Sequence, residues 1–146
     1  MKIRSYVPSD ADRLVSMWRQ SKQAALDVVD VYSIEDYRFF LTEILIKRAK
    51  LFVAEDEPYK TICGFMAVEG DWVSQLYIRI EDQGKGLGKR FLDLAKQSST
   101  GQLCLYTFEK NQRARAFFKS QGFKEVGPGI ENEENLPDIE LLWERT

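Results

Sequence analysis

The sequence predicts an α/β (α+β) fold: a mixed, mostly antiparallel sheet of about seven strands with helices on its faces. Three observations carry this reading. Short apolar runs at 51–54, 62–68 and 72–80 are separated by turns tight enough to make antiparallel hairpins. The run Gln83-Gly84-Lys85-Gly86-Leu87-Gly88 divides the last of these runs from an amphipathic helix. A further strand, a helix and a final strand pair complete the chain, and the strand-helix-strand step across the glycines should be parallel and right-handed.

Each element has its own signal. Ile3 to Tyr6 reads as a short strand. Ser9 and Asp12 form a capping-box pattern ahead of Leu14, Met17 and Trp18, which opens the first helix near Ser9. Ser33 and Asp36 repeat that pattern before Ile34, Tyr37, Leu41, Ile44 and Leu45, whose helical spacing buries one face. The three central strands follow, turning around Asp56-Glu57-Pro58 and Gly70-Asp71. Beyond the glycines, Leu87, Phe91, Leu94 and Ala95 mark the core side of a helix ending near Ser98. Leu103 to Phe108 is the next strand, a helix runs from Asn111 to Gln121, and Lys124 to Val126 pairs with Asp138 to Trp143.

Composition bounds the function. The 146 residues, 44% hydrophobic and 30% charged, suffice for one compact domain over 1–146. A net charge of −2 argues against a broad nucleic-acid-binding face. Cys63 and Cys104 lie in apolar strand runs with no metal or redox spacing. The N-terminus lacks the apolar segment of a signal peptide, and no stretch approaches a membrane span. A reduced, cytoplasmic protein is expected.

The glycine run is the most informative segment. Glycines at 84, 86 and 88 free the backbone to bring N–H groups against an anion, and the helix behind them directs its positive end to the same place. It does not fit G-x-G-x-x-G. Nor does it fit the nucleoside triphosphate loop, because Arg90 stands where a hydroxyl is required. It resembles instead the pyrophosphate loop of the GNAT superfamily of N-acetyltransferases, Q/R-x-x-G-x-G/A, through Gln83, Gly86 and Gly88. The segment Asn111 to Phe123 resembles that superfamily's second signature, N-x-x-A-x-x-F-Y-x-x-x-G-F. Taken alone, that segment is an Asn111 helix cap, an apolar stripe of Ala114, Phe117 and Phe118, and a left-handed Gly122.

The resemblance covers nearly the whole chain and implies the GNAT fold, with the fourth and fifth strands splayed. It also implies acetyl-coenzyme A (acetyl-CoA) as cofactor, bound as coenzyme A. The implied cofactor residues are the strand backbone at Leu76, Tyr77 and Ile78, the loop Gln83, Gly84, Lys85, Gly86, Leu87, Gly88 and Lys89, and Asn111 and Phe118. No metal is implied. Lys85, Lys89 and Arg90 would add cations, and a β-branched residue at 86 or 88 is expected to abolish binding while sparing the fold.

The implied activity is transfer of an acetyl group to a primary amine of a small molecule, peptide or protein, by direct attack in a ternary complex, as a monomer or homodimer. The amine should enter between the first two helices and the last hairpin. Tyr32, Tyr37 and Trp72 would form its walls, and Glu131, Glu133 and Glu134 would attract a cation.

The sequence departs from the family in its chemistry. The tyrosine that protonates the leaving thiolate in many members is Phe118 here, and the fifth-strand glutamate position is Tyr106. The chain has no histidine. Tyr106 is the candidate catalytic hydroxyl; Glu69 and Glu109 are weaker candidates for a base, being at strand ends. Without a strong base, an amine of pKa ~7.7–8.0 is an easier acceptor than a lysine near ~10.4. The alternative is a catalytically silent acyl-CoA-binding or regulatory module, which Phe118 and Tyr106 favour.

Overall fold

The computed structural model describes residues 1–26, 30–129 and 136–146, so Glu131, Glu133 and Glu134 lie outside the described residues. A seven-stranded sheet has the order β1-β2-β3-β4-β5-β7-β6. β1 (Lys2–Ser5), β2 (Lys50–Asp56), β3 (Thr61–Glu69) and β4 (Trp72–Ile78) are joined antiparallel in sequence order. β5 (Gln102–Phe108) meets β4 in parallel, and β7 (Asp138–Glu144) lies between β5 and β6 (Lys124–Pro128). Cys63 on β3 and Cys104 on β5 are free thiols with β4 between them.

Two cores form, one on each face. α1 (Ala11–Leu26), α2 (Ile34–Phe39) and the π-helical segment that continues it pack Leu14, Trp18, Tyr37 and Leu41 against Val53 and Phe65. α4 (Leu87–Ser98) and α5 (Gln112–Ser120) bury Phe91, Leu92 and Phe118 against Met66, Leu103, Leu105 and Leu141 on the other face. β3, covered on both sides, is therefore buried along its interior rather than alternating.

The Ser33–Asp36 box forms as expected: Ser33 N–H donates to Asp36 Oδ2 at 2.9 Å, and Asp36 N–H donates to Ser33 Oγ at 3.2 Å. The helix it starts continues through a π-helical segment, Phe40–Leu45, and a last turn, α3 (Ile46–Arg48).

Two local expectations change. The first helix is entered through a 3₁₀ turn at Pro8–Asp10, and its capping carboxylate belongs to Asp10, not Asp12. Asp10 accepts from Val7 N–H at 2.9 Å and from two Arg4 nitrogens at 2.8 Å each, so the acid that reaches both the chain entry and β1 is the buried one. The fourth strand stops at Ile78, two residues before the expected Ile80, because a 3₁₀ turn (Ile80–Asp82) begins there. Buried Asp82 accepts from Arg79 Nε at 2.7 Å and Lys85 Nζ at 3.3 Å, holding this turn closed.

Candidate active site

β4 and β5 touch at one end only. Trp72 is in register with Cys104, and Cys104 N–H donates to Asp71 O at 2.8 Å; beyond that point β4 has no strand partner on its β5 side among the described residues. Antiparallel alternation decides which backbone groups look into the gap. Arg79 N–H donates to Cys63 O at 2.7 Å, so Tyr77 spends its backbone on Phe65, while Leu76 and Ile78 turn theirs toward β5. The Ile78 carbonyl accepts from Gln83 Nε2 at 3.1 Å, which ties the glycine loop to the strand end. A register shift between Ala67 and Val68 leaves Ser74 as an extra residue on β4, so the strand bulges just past the contact point.

The glycine loop opens at the far end of this gap. Gly84 and Gly86 have φ of +78° and +86°, and a Cβ built on either meets nothing within 4 Å. Gly86 is the N-cap of α4, and the first intrahelical bond is Arg90 N–H to Gly86 O at 3.1 Å. The N–H groups of Leu87, Gly88 and Lys89 are therefore left for an outside acceptor. Gly88 is small for a different reason from the one expected, since a Cβ there would stand 2.8 Å from the Phe117 ring. The basic side chains are already engaged: Lys85 with Asp82, Lys89 with Asp93 at 2.6 Å, and Arg90 with the Met1 carbonyl at 3.0 Å. The loop thus meets an anion chiefly with backbone N–H groups, open space and a helix end, which fits a pyrophosphate.

Asn111 caps α5, its Oδ1 accepting from Ala114 N–H at 3.1 Å. Phe118 on that helix is buried against Phe117 and Phe123 and has no proton to donate.

The opposite face of the gap carries Tyr106. Its ring stacks on Trp72 with centroids 5.2 Å apart, and both residues are 37% exposed, forming an open aromatic platform beside the β4–β5 contact. Burial, then the negative charges of Glu140 and Asp138 and the thiol of Cys104, push its phenol above the ordinary range. Tyr106 therefore rests as the protonated phenol at neutral pH and is available first as a donor. Farther along this face, Trp18 contacts Tyr37, Phe40, Phe65 and Tyr77, and Tyr32 meets Tyr37 edge-on. Lys22 lies over the Tyr32 and Tyr37 rings.

Sequence reasoning missed Glu140. It is the register partner of Tyr106 on β7 and shares its face; the available signal was the alternation within 138–143. Of the bases considered earlier, Glu69 is in register with Trp72 and is held by Arg48 at 3.2 Å. A cavity of about 400 Å³ lined by Lys47, Arg48, Lys50, Gly70 and Ser98 lies at the Trp72 end of β4, and neither Trp72, Tyr106 nor the glycine loop lines it. No helix among the described residues is long and apolar enough to cross a membrane, and no group of three or more metal-ligating side chains occurs among them.

Comparison with known proteins agrees with this geometry. Residues 47–125 match the model of the acetyltransferase (GNAT) domain family. The peptidyl-lysine N-acetyltransferase YjaB of Salmonella typhimurium is 31% identical over 133 residues, covering 87% of this chain and 86% of that protein. The solution structure of apo YjaB from Escherichia coli superposes with a TM-score of 0.76 at 25% identity, over 99% of this chain and 98% of that one. The PaiA N-acetyltransferase of Thermoplasma acidophilum, solved with coenzyme A, shares the fold at a TM-score of 0.71 and 19% identity, over 98% of each chain. With a family model spanning more than half its length and a relative matched over most of both chains, this protein belongs to the GNAT family of acetyltransferases.

Proposed function

We propose that this protein transfers the acetyl group of acetyl-CoA to the side-chain amine of a lysine in a peptide or protein, with the whole chain acting as a single catalytic domain. The observation that carries the reading is the one-ended β4–β5 contact, whose open edge runs from the Trp72–Tyr106 platform to a loop of left-handed glycines and a helix N-terminus. Leu76 and Ile78 offer backbone groups to the pantetheine arm. The N–H groups from Gly84 to Lys89 hold the pyrophosphate, that of Gln83 already donating to Ile80 O at 3.2 Å, and Asn111 and Phe118 are assigned to the cofactor by the family resemblance. The lysine specificity is supported by the YjaB relatives, which are peptidyl-lysine N-acetyltransferases. Free, unpaired cysteines fit a reducing cytoplasm.

The cofactor supplies a thioester, an acyl group on a good leaving sulfur. The protein orients the acceptor beside it, offers N–H groups at the β4 bulge to a developing oxyanion, and gives a proton from the Tyr106 phenol. Phe118 does not prevent this, because a thiol of pKa ~8.5 leaves readily and acid help is worth ~10²–10⁴-fold.

Thiol release from acetyl-CoA, followed with and without a lysine-bearing peptide, tests the reading. Amine-dependent release supports it. Tight coenzyme A binding with no release for any amine would instead identify the silent acyl-CoA-binding module that the buried Phe118 favours.

A further inference from the structure

A lysine ammonium of pKa ~10.4 is neutral in only about one molecule in 2,500 at pH 7, so its acetylation needs a proton acceptor beside the attacking nitrogen. Tyr106, held as a phenol, is not that acceptor. A carboxylate stands one strand away at the same height: Glu140 of β7 is in register with Tyr106, so the two side chains share a face with Cβ atoms ~4.5–5.5 Å apart.

The other neighbour of Glu140 leaves it accessible. On β6 its partner is Gly127, next to a bulge that leaves Val126 out of register, and a Cβ at 127 would meet nothing within 4 Å. Glu140 is thus half-buried between an aromatic platform and an open slot. The ionisable groups around it are Tyr106 and Cys104 from β5, Asp138 two residues along β7, and Lys124 from β6, which is in register with Leu142. Negative charge dominates this cluster, and it lies where a cation would pass over Trp72 and Tyr106.

We propose that Glu140 is the catalytic base of this acetyltransferase, receiving the ammonium of a lysine-like acceptor over the Trp72–Tyr106 platform and taking its proton. The inference rests on the acetyltransferase reading and accounts for a lysine substrate despite the missing fifth-strand glutamate. One N–H bond of the ammonium breaks, an O–H bond forms on Glu140, and the electron pair stays on nitrogen for the new C–N bond. Tyr106 gives its phenolic proton to the sulfur as the C–S bond breaks and regains one from nitrogen as the amide forms. Glu140 returns its proton to water through the slot beside Gly127. The raised pKa of Tyr106, to which Glu140 contributes, agrees with this proximity.

The isosteric Glu140→Gln tests the assignment. With a lysine peptide at pH 7, kcat should fall ~10²–10⁴-fold, with KM for acetyl-CoA little changed and the rate recovering roughly tenfold per pH unit as the amine deprotonates unaided. With an α-amine acceptor of pKa ~7.7–8.0, the loss should be far smaller. A second readout needs no turnover: in protein carrying ¹³C-labelled tyrosine, the resonance deleted by Tyr106→Phe should titrate at lower pH once the Glu140 charge is removed. Lysine turnover at the parental rate in folded Glu140→Gln, or a Tyr106 titration that does not move, overturns the proposal. A parent inactive with every amine overturns the acetyltransferase reading instead, while the Tyr106 titration still decides whether Glu140 faces the phenol.

Discussion

Gly88 of α4 packs directly on Phe117 of α5: a Cβ built at 88 falls 2.8 Å from Phe117 Cζ and 3.3 Å from Cε2. The glycine loop and the helix bearing Asn111 and Phe118 are thereby fixed to one another. A change at 88 therefore disturbs both halves of the proposed cofactor side at once.

Gly88→Val should destabilise the fold by about 1–3 kcal/mol through overpacking, as well as weakening coenzyme A binding. Gly86→Val has open space around it but a φ of +86°, so its cost is local backbone strain, ~1–2 kcal/mol, with binding lost. Chemical denaturation and calorimetric titration on the two variants check this. Equal stability losses with intact affinity in both would show that the loop is only a turn.

Asn111→Ala removes the acceptor for Ala114 N–H and should cost ~0.5–2 kcal/mol. If Asn111 also meets the pantetheine arm, the melting-temperature gain on adding coenzyme A shrinks in the variant. An undiminished gain would confine Asn111 to its helix cap.

Tyr106→Phe keeps the ring that stacks on Trp72 and removes the hydroxyl, so turnover should drop by roughly 10²-fold with cofactor affinity preserved. Because the parent phenol is held above its ordinary pKa, the proton-donor requirement should limit the rate only at pH above ~10. Phe118→Tyr in the Tyr106→Phe background should restore part of the rate. A flat comparison between parent and Tyr106→Phe across pH would assign the proton to water.

Burial alone would raise the Asp10 carboxyl, but hydrogen bonds from Arg4 and Val7 and the charges of Arg4 and Arg13 hold it below the usual carboxylate range. A depressed folded-state pKa contributes stability that is fully present above the unfolded value of ~3.9 and is lost as pH falls through the folded value. Arg4→Met should cost about 3 kcal/mol at pH 7, with Arg13 still 3.1 Å from Asp10 as partial compensation. The loss should diminish below pH ~4, where Asp10 can take a proton. Urea titrations at pH 7 and at a pH below ~4 measure the difference.

Local signals decided what a sequence can decide. The spacing of Leu87, Phe91 and Ala95, the Ser33–Asp36 box, the Asn111 cap and the left-handed Gly84, Gly86 and Gly122 depend on neighbours within a turn or two, and each stands where the sequence put it. The hairpin order of β2, β3 and β4 followed from short connections, and the loop was legible because glycine has few other uses between a strand and a helix. The sequence also showed that Phe118 and Tyr106 depart from the family pattern. It did not show what compensates. Glu140 lies 34 positions from Tyr106, and only the register of β5 against β7 sets them side by side. The same holds for Gly88 against Phe117 and for Asp10, which displaced Asp12 as the cap because Arg4 on β1 reaches it. Such pairs meet by hydrogen-bond register and packing between distant segments, and one sequence carries no local pattern for either.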